Sequence, residues 1–440
     1  MTVQPTNTQL VEDTNALHAH LATVVGELLA DERVERQGRR EPPLTPDEEL
    51  GFARQAARTE CTRIRRDAGQ GVLPPEIESE LITRCVSEVL GLGRLQPLLD
   101  DEEVTDIHVR GWDSVWVRLR NGHKERRDPI VDSDKALVEL IRRMAARTGN
   151  SERRFDAGNP ELNLQMADGS RLFAVMEVSR RPSLIIRRHR FELSNLDELV
   201  TRGMLDEPLR QFFVAAVAAR RNVVISGGTG SGKTTLLRAL INEVAPDQRI
   251  VTIEDSFELG IDRFPDRHPD HDALQARPMN IEGSGEVTLS DLTRMALRMD
   301  PDRVIVGEVR GAEAFPMLMA MSQGNNGSMC TMHADSTRSV FPKLAAYVSM
   351  ASTGLPVETV NLLIASAVHF VVHIDNSDGL RRISSIREVV DSEGASIISN
   401  EVFGRAPDGR PRWAYPLRDA TRSRFEEQGF RSPLEEWSMA

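Results

Sequence analysis

Gly227, Gly232, Lys233 and Thr234 stand in the pattern G-x-x-x-x-G-K-[ST], the spacing of a phosphate-binding loop. Small residues there let consecutive backbone N–H groups curl around phosphates at a helix N-terminus. The stretch Gly227, Gly228, Thr229, Gly230, Ser231, Gly232, Lys233, Thr234 and Thr235 is therefore the candidate nucleotide cradle. Lys233 is placed to reach the β- and γ-phosphates, and the Thr234 hydroxyl to ligate Mg²⁺. The only lysines are Lys124, Lys135, Lys233 and Lys343, so an arginine-rich chain keeps a lysine where a compact ammonium is needed.

Carboxylates downstream suit the same chemistry. Arg249 to Ile253 reads as a strand ending on Glu254 and Asp255, with Glu258 close behind. Acids at the C-terminal end of a buried strand beside such a loop lie where a nucleotide's magnesium and attacking water belong. Val304-Ile305-Val306-Gly307-Glu308 has the Walker-B form, a buried strand presenting a carboxylate to metal and water. The expected metal ligands are Thr234 and Glu308. A further strand, Ser328 to Met332, delivers His333 to the same edge, for a γ-phosphate contact or a subunit interface.

The elements that must position these residues are legible around them. Val223, Val224 and Ile225 form a β-branched run before the loop. Leu236, Leu237, Leu240 and Ile241 recur at helical spacing after it, and Pro246 closes the segment.

The chain of 440 residues is long enough for two or three domains, and its 40% hydrophobic and 28% charged content is that of a globular protein. A net charge of −12 argues against a general nucleic-acid or anionic-membrane binder. Cys61, Cys85 and Cys330 lack paired spacing, which points to a reducing cytoplasm. The first residues lack a signal-peptide pattern, and the most apolar run, Leu362 to Ile374, is too short to span a membrane. Any membrane role is expected to be peripheral.

Four segments are expected. Residues 1–73 read as a helical, partly disordered extension. One amphipathic helix carries Leu17, Leu21, Val24, Val25, Leu28 and Leu29 and ends at the charged stretch Asp31 to Glu41; an Arg-rich helix follows from Asp47. Residues 74–192 read as an α+β domain: a helix through Ile77, Leu81, Val86 and Leu90, strands at 104–109 and 115–119, a helix Lys135 to Arg147, and strands at 162–166 and 172–178. It ends in the basic run Arg180-Arg181 and Arg187-Arg188-His-Arg190, which reads equally as surface decoration or as anion contact. Residues 193–207 read as a linker with a short helix, and 208–440 as the P-loop domain.

The four stretches G-G-T-G-S-G-K-T-T, I-E-D-S-F-E-L, P-D-R-V-I-V-G-E-V-R-G and S-M-C-T-M-H-A-D-S, in this order, resemble the signature boxes of the type II/type IV secretion ATPases. I-E-G-S-G-E-V-T-L-S-D-L, L-G-L-G-R-L-Q-P-L-L and V-T-D-I-H-V are most similar to the CpaF/TadA subfamily of tight-adherence (Flp) pilus motors. The resemblance covers about residues 75–400. It implies an α/β architecture with a RecA-like P-loop motor domain, ATP and Mg²⁺ as ligands, a homohexamer, and polytopic inner-membrane platform proteins as partners. It also implies a cytoplasmic location, peripheral at the inner face of the membrane; from the acidic net charge, no direct nucleic-acid contact is expected. Carried over by position, Glu254, Asp255 and Glu258 form the aspartate box, Glu308 is the Walker-B acid and His333 the histidine-box residue. Arg171 and Arg187 or Arg188 match N-terminal-domain arginines that neutralise phosphate charge. The chain departs where relatives read T-G-H-x-G: here Gln323-Gly324-Asn325-Asn326-Gly327 puts Asn325 at the histidine position.

Rival expectations are a type IV secretion ATPase moving DNA or effectors, and a RecA-like nucleic-acid motor. A GTP-driven switch is excluded because no lysine follows an asparagine.

Overall fold

In the first half of the chain, apolar residues alternate in short runs, so each run can bury one face as a strand. The computed structural model describes residues 7–39, 41–42, 44–67, 74–147, 154–166, 168–188, 194–279, 283–377, 379–405 and 411–434. It divides into two units, residues 1–189 and 190–440. Arg190, Ile281, Glu282 and the start of the expected linker lie outside the described residues.

In the first unit six strands form an antiparallel sheet: β1 (Val104–Arg110), β2 (Val115–Leu119), β3 (Lys124–Arg127), β4 (Glu161–Gln165), β5 (Arg171–Val175) and β6 (Ser183–Arg187). Their spatial order is β3-β2-β1-β6-β5-β4. Ile107, Val109, Leu172, Ala174, Leu184 and Ile186 share a core with Leu137, Leu140 and Ile141 of the helix Asp134–Arg147. β3 escaped the sequence analysis because K-E-R-R has no apolar alternation, and β6 because its S-L-I-I-R stood out for charge.

Three helices form a separate core in this unit. Asn7–Gly38, Pro46–Asp67 and Pro75–Val89 bury Leu21, Val25, Ala53, Ala57, Leu81 and Val86 against one another. The helix at 75–89, expected to belong with the sheet, thus joins the extension. The first helix also continues through the charged stretch from Asp31, which was expected to end it. Glu and Arg are good helix formers, and Arg39 pairs with Glu35 one turn back, so charge alone gives no stop.

Among its described residues the second unit carries nine strands: β7 (Val223–Gly227), β8 (Ile250–Glu254), β9 (His271–Gln275), β10 (Arg303–Val306), β11 (Met329–Met332), β12 (Phe370–Ser377), β13 (Leu380–Glu393), β14 (Ser396–Arg405) and β15 (Pro411–Trp413). Their order is β15-β14-β13-β12-β7-β11-β10-β8-β9. From β12 to β9 every neighbouring pair is parallel, while β13 to β15 add an antiparallel extension. β7 is buried on both faces: Val223 and Ile225 belong to one core, Val224 to the other. The first core is centred on Phe212, whose ring meets Phe213, Phe370, Phe403, Phe425 and Phe430 edge-on.

The stretch expected as linker is built into this unit. Asn195 caps the helix Leu196–Thr201 by accepting from the Glu198 N–H, and Leu196, Leu199, Met204 and Leu205 are buried in the Phe212 core. An apolar period with its own cap folds onto the sheet and does not span a gap. Cys61 and Cys85 lie in the three-helix core and Cys330 in β11; all three are free thiols and buried.

Candidate nucleotide site

Parallel register places the candidate residues along one sheet edge. Ser226 pairs with Met332, Cys330 with Val306, and Val306 with Ile253. The chain therefore leaves β7 at Gly227, β8 at Glu254, β10 just before Glu308 and β11 just before His333, all at the C-terminal ends.

The loop between β7 and the helix Lys233–Asn242 needs glycine for two reasons. A Cβ at Gly227 would stand 2.6 Å from the Ile374 carbonyl oxygen and 2.6 Å from Ser231 Oγ. Gly232, which caps the helix, has φ 98°, where a side chain would be strained. Beside it, Met204 Cε and Arg381 Cδ would lie 3.2 and 3.4 Å from a Cβ, two neighbours that no local pattern revealed.

Lys233 is buried, and its ammonium donates to the carbonyls of Gly227 (3.1 Å) and Gly228 (2.9 Å). His333 Nδ1 lies 3.4 Å from the same nitrogen, and His333 Nε2 lies 3.0 Å from Glu308 Oε1. An ammonium has only donors, so Nδ1 accepts and Nε2–H faces the Glu308 carboxylate. Burial lowers the Lys233 pKa, and the Glu308 charge opposes that shift. Ammonium, imidazole and carboxylate form one continuous chain across three strand ends.

The aspartate-box acids divide. Glu254 is 3% exposed and accepts the N–H groups of Glu258 (2.7 Å) and Leu259 (2.8 Å), holding the following loop. Burial raises its pKa to about 7 despite those two bonds. A Cβ at Gly307 would approach Glu254 Cγ to 3.3 Å, so the two strands run close there. Asp255 is bound by Arg310 at 2.7 Å, while the Glu258 carbonyl accepts from Arg238. Arg310 follows the Walker-B acid and was missed; its loop is fixed by Glu313, which accepts the Arg310 (2.5 Å) and Gly311 (2.8 Å) N–H groups.

The residues present fit a nucleotide and its metal. Among the described residues, Ser231 Oγ is buried without a hydrogen-bond partner, and a Cβ at Gly228 or Gly230 would meet nothing within 4 Å. That leaves open space beside an orphaned hydroxyl, at a helix N-terminus. Thr234 and Glu308 are the residues that would hold Mg²⁺, whose chemistry is neutralising phosphate charge.

The profile of the Type II/IV secretion system protein family matches residues 95–378, well over half the chain. The chain belongs to that family. A candidate conjugal transfer protein of Mycobacterium tuberculosis is 35% identical over 347 residues, 77% of this chain and 95% of that protein. The type IV secretion system protein VirB11 of Brucella suis is 30% identical over 340 residues, covering 69% of this chain and 91% of the relative. The crystal structure of the VirB11 ATPase from Brucella suis, in complex with sulphate, is 29% identical, with a TM-score of 0.36, and covers 67% of this chain and 95% of its own. This secretion ATPase is thus an ATP-hydrolysing enzyme with a RecA-like motor sheet.

In the first unit of this secretion ATPase the expected phosphate-neutralising arginines have different surroundings. Arg171 and Arg187 face each other across β5 and β6, and Asp106 of β1 is next in the same row. Arg187 is 55% exposed, with Asp106 Oδ1 3.7 Å away. Arg188 donates to the carbonyls of Asp101 and Val104, the latter at 3.2 Å. Of the rest of the basic run, Arg181 donates to Asp113 (2.6 Å) and Asp134 (2.7 Å), and these hydrogen bonds hold both carboxyls below their usual range.

Asn325 lies in the turn before β11, at the opposite end of that strand from His333. Its amide donates to the Pro301 carbonyl at 2.5 Å and its own carbonyl accepts from Ser328 Oγ at 2.7 Å.

Proposed function

We propose that this secretion ATPase works as a closed homohexamer, peripheral at the inner face of the cytoplasmic membrane, driving polytopic platform proteins that assemble a tight-adherence (Flp-type) pilus. The observation that carries the catalytic part is the continuous chain Lys233–His333–Glu308 beside the phosphate loop. In this scheme Lys233 releases its two loop carbonyls to meet the β/γ-phosphates. Glu308 orients the attacking water, and His333 links the two, so that loss of the lysine contact is felt at the carboxylate. Glu254, Asp255 and Glu258 shape the neighbouring wall, and Arg171, Arg187 and Arg188 are candidates to offset the charge that phosphoryl transfer develops.

The pilus assignment is supported by I-E-G-S-G-E-V-T-L-S-D-L and V-T-D-I-H-V. A second reading, type IV secretion of DNA or effectors, is favoured by relatives described as conjugal transfer and type IV secretion proteins. One pair of variants tests the site and the machine together. Lys233→Ala is expected to abolish turnover, and Glu308→Gln to keep ATP binding while losing at least about a hundredfold in turnover. Cells carrying either variant should lose surface pili. Intact pili with loss of DNA or protein transfer would replace the pilus by the second reading, and near-normal turnover of Lys233→Ala would remove the site.

A further inference from the structure

On the face of the motor sheet away from the Phe212 core lies a cleft of about 520 Å³. It runs between the helices Val340–Met350 and Val357–Ala367 and the β13–β14 hairpin, and it contains none of the nucleotide-site residues.

Its lining is one-signed. Arg338 and Arg387 line it, and among the described lining residues there is no carboxylate, in a chain whose net charge is −12. Arg387 is 4% exposed; Nη1 donates to the Ser399 carbonyl at 3.2 Å, and Nη2 is 3.7 Å from Glu401 Oε2. Its Nε is buried without a hydrogen-bond partner among the described residues. Glu401 stands beyond hydrogen-bond distance of Arg387 at 3.7 Å, and its other oxygen, Oε1, accepts from Ser385 Oγ at 2.6 Å. A buried guanidinium N–H left open is costly, and it leaves positive charge in the cleft wall that the ion pair with Glu401 does not fully satisfy. Two more features point the same way. Val357, the first residue of its helix, lines the cleft, and Pro356 gives that helix N-terminus no side-chain cap. Phe341, Val357 and Ile397 supply apolar wall, with Val357 46% exposed.

We infer that this cleft docks a partner polypeptide through an acidic side chain flanked by apolar ones. The carboxylate meets the exposed Arg338 guanidinium, with the buried Arg387 adding positive potential from the cleft wall, and the flanking side chains cover Phe341 and Val357. Charge complementarity selects the acid, and the walls select a chain over a free oxyanion. Arg338 lies five residues after His333, in the connection leaving β11, so the grip falls on the segment that carries the site's histidine. The inference holds whichever machine the motor drives.

The test uses the full chain with ADP and Mg²⁺ added to occupy the phosphate loop. Binding of the capped peptide acetyl-Leu-Glu-Phe-Leu-amide is read by saturation-transfer NMR, with the Glu→Gln peptide as control. Binding is expected to the acidic peptide, roughly tenfold weaker for the Gln peptide, and roughly tenfold weaker again for the acidic peptide on Arg338→Met. Arg387→Met should act likewise; if its buried site does not fold, the surface variant Arg338→Met decides alone. No binding to the unaltered chain, equal affinity for both peptides, or unchanged affinity in Arg338→Met overturns the proposal. So does displacement of the peptide by an equal concentration of inorganic phosphate, which would make the cleft a site for free oxyanions.

Discussion

Glu254 illustrates what burial does to one carboxyl beside a phosphate site. Its folded pKa of about 7 stands above the ordinary carboxylate value, so folding favours the protonated form. The stability this contributes is complete below the unfolded pKa and is lost as pH rises through about 7. Glu254→Gln keeps an acceptor for the two loop N–H groups and cannot ionise. It should therefore be more stable than the unaltered chain at pH 8, by up to ~3 kcal/mol, with the gap closing toward pH 5. Denaturant midpoints at the two pH values check this; a gap that does not change with pH would mean the carboxyl is not the titrating group. Lys233, Glu308 and His333 were legible because spacing and strand context name them. The looping of Glu254 onto Glu258 and Leu259, the hold of Arg310 on Asp255 and the carbonyl contacts of Arg188 were not. Each depends on a partner brought close only by tertiary packing.

At the scale of elements, the parallel strands have two ends with separate duties. The C-terminal ends carry the phosphate-loop pattern, Glu254, Glu308 and His333. The opposite ends are tied by Asn222, fully buried, whose amide donates to the carbonyls of Met321 (2.8 Å) and Ala367 (2.6 Å). Its oxygen accepts the N–H groups of Gly327 (2.8 Å) and Ser328 (3.0 Å). Arg303 reinforces that end, wholly buried, donating to Gln248 Oε1 (2.6 Å) and to the carbonyls of Gly327 (3.2 Å) and Val217 (2.8 Å). Asn222→Ala should cost roughly 3–5 kcal/mol by leaving those groups unpaired, measured as a shift in unfolding free energy. Asn325→His, in the turn on the same side, should leave ATP turnover within about twofold. A tenfold rise, about 1.4 kcal/mol of barrier, would make Asn325 a brake on the site. Neither Asn222 nor Arg303 announces itself in sequence, since a polar residue beside a strand looks like an ordinary surface position. The strands themselves were readable where β-branched runs occur, and β9, H-D-A-L-Q, was missed for want of one.

For the whole molecule, the arginines of the first unit and the loop of the second sit on separate compact bodies of one chain. In the proposed hexamer, Arg187→Ala and Lys233→Ala should each still assemble and hydrolyse ATP poorly. If the arginine serves a neighbour's site, mixed rings should recover part of the activity; absence of recovery would place its action within one chain, and full activity of Arg187→Ala/Arg188→Ala would remove both from the mechanism. The buried thiols give the two bodies separate reporters. Burial raises the Cys85 pKa to about 12 and lifts Cys61 and Cys330 as well, so little thiolate is present or reachable in the folded chain. Ellman's reagent should therefore count almost no thiols before denaturation and three after it. Prompt labelling of the native chain would contradict the packing around them. With alkylation followed by peptide mass spectrometry, Cys61 and Cys85 time the opening of the three-helix core, and Cys330 that of the motor sheet. The native cysteines thus act as two built-in clocks, and a surface cysteine introduced for a fluorophore needs no cysteine-free background.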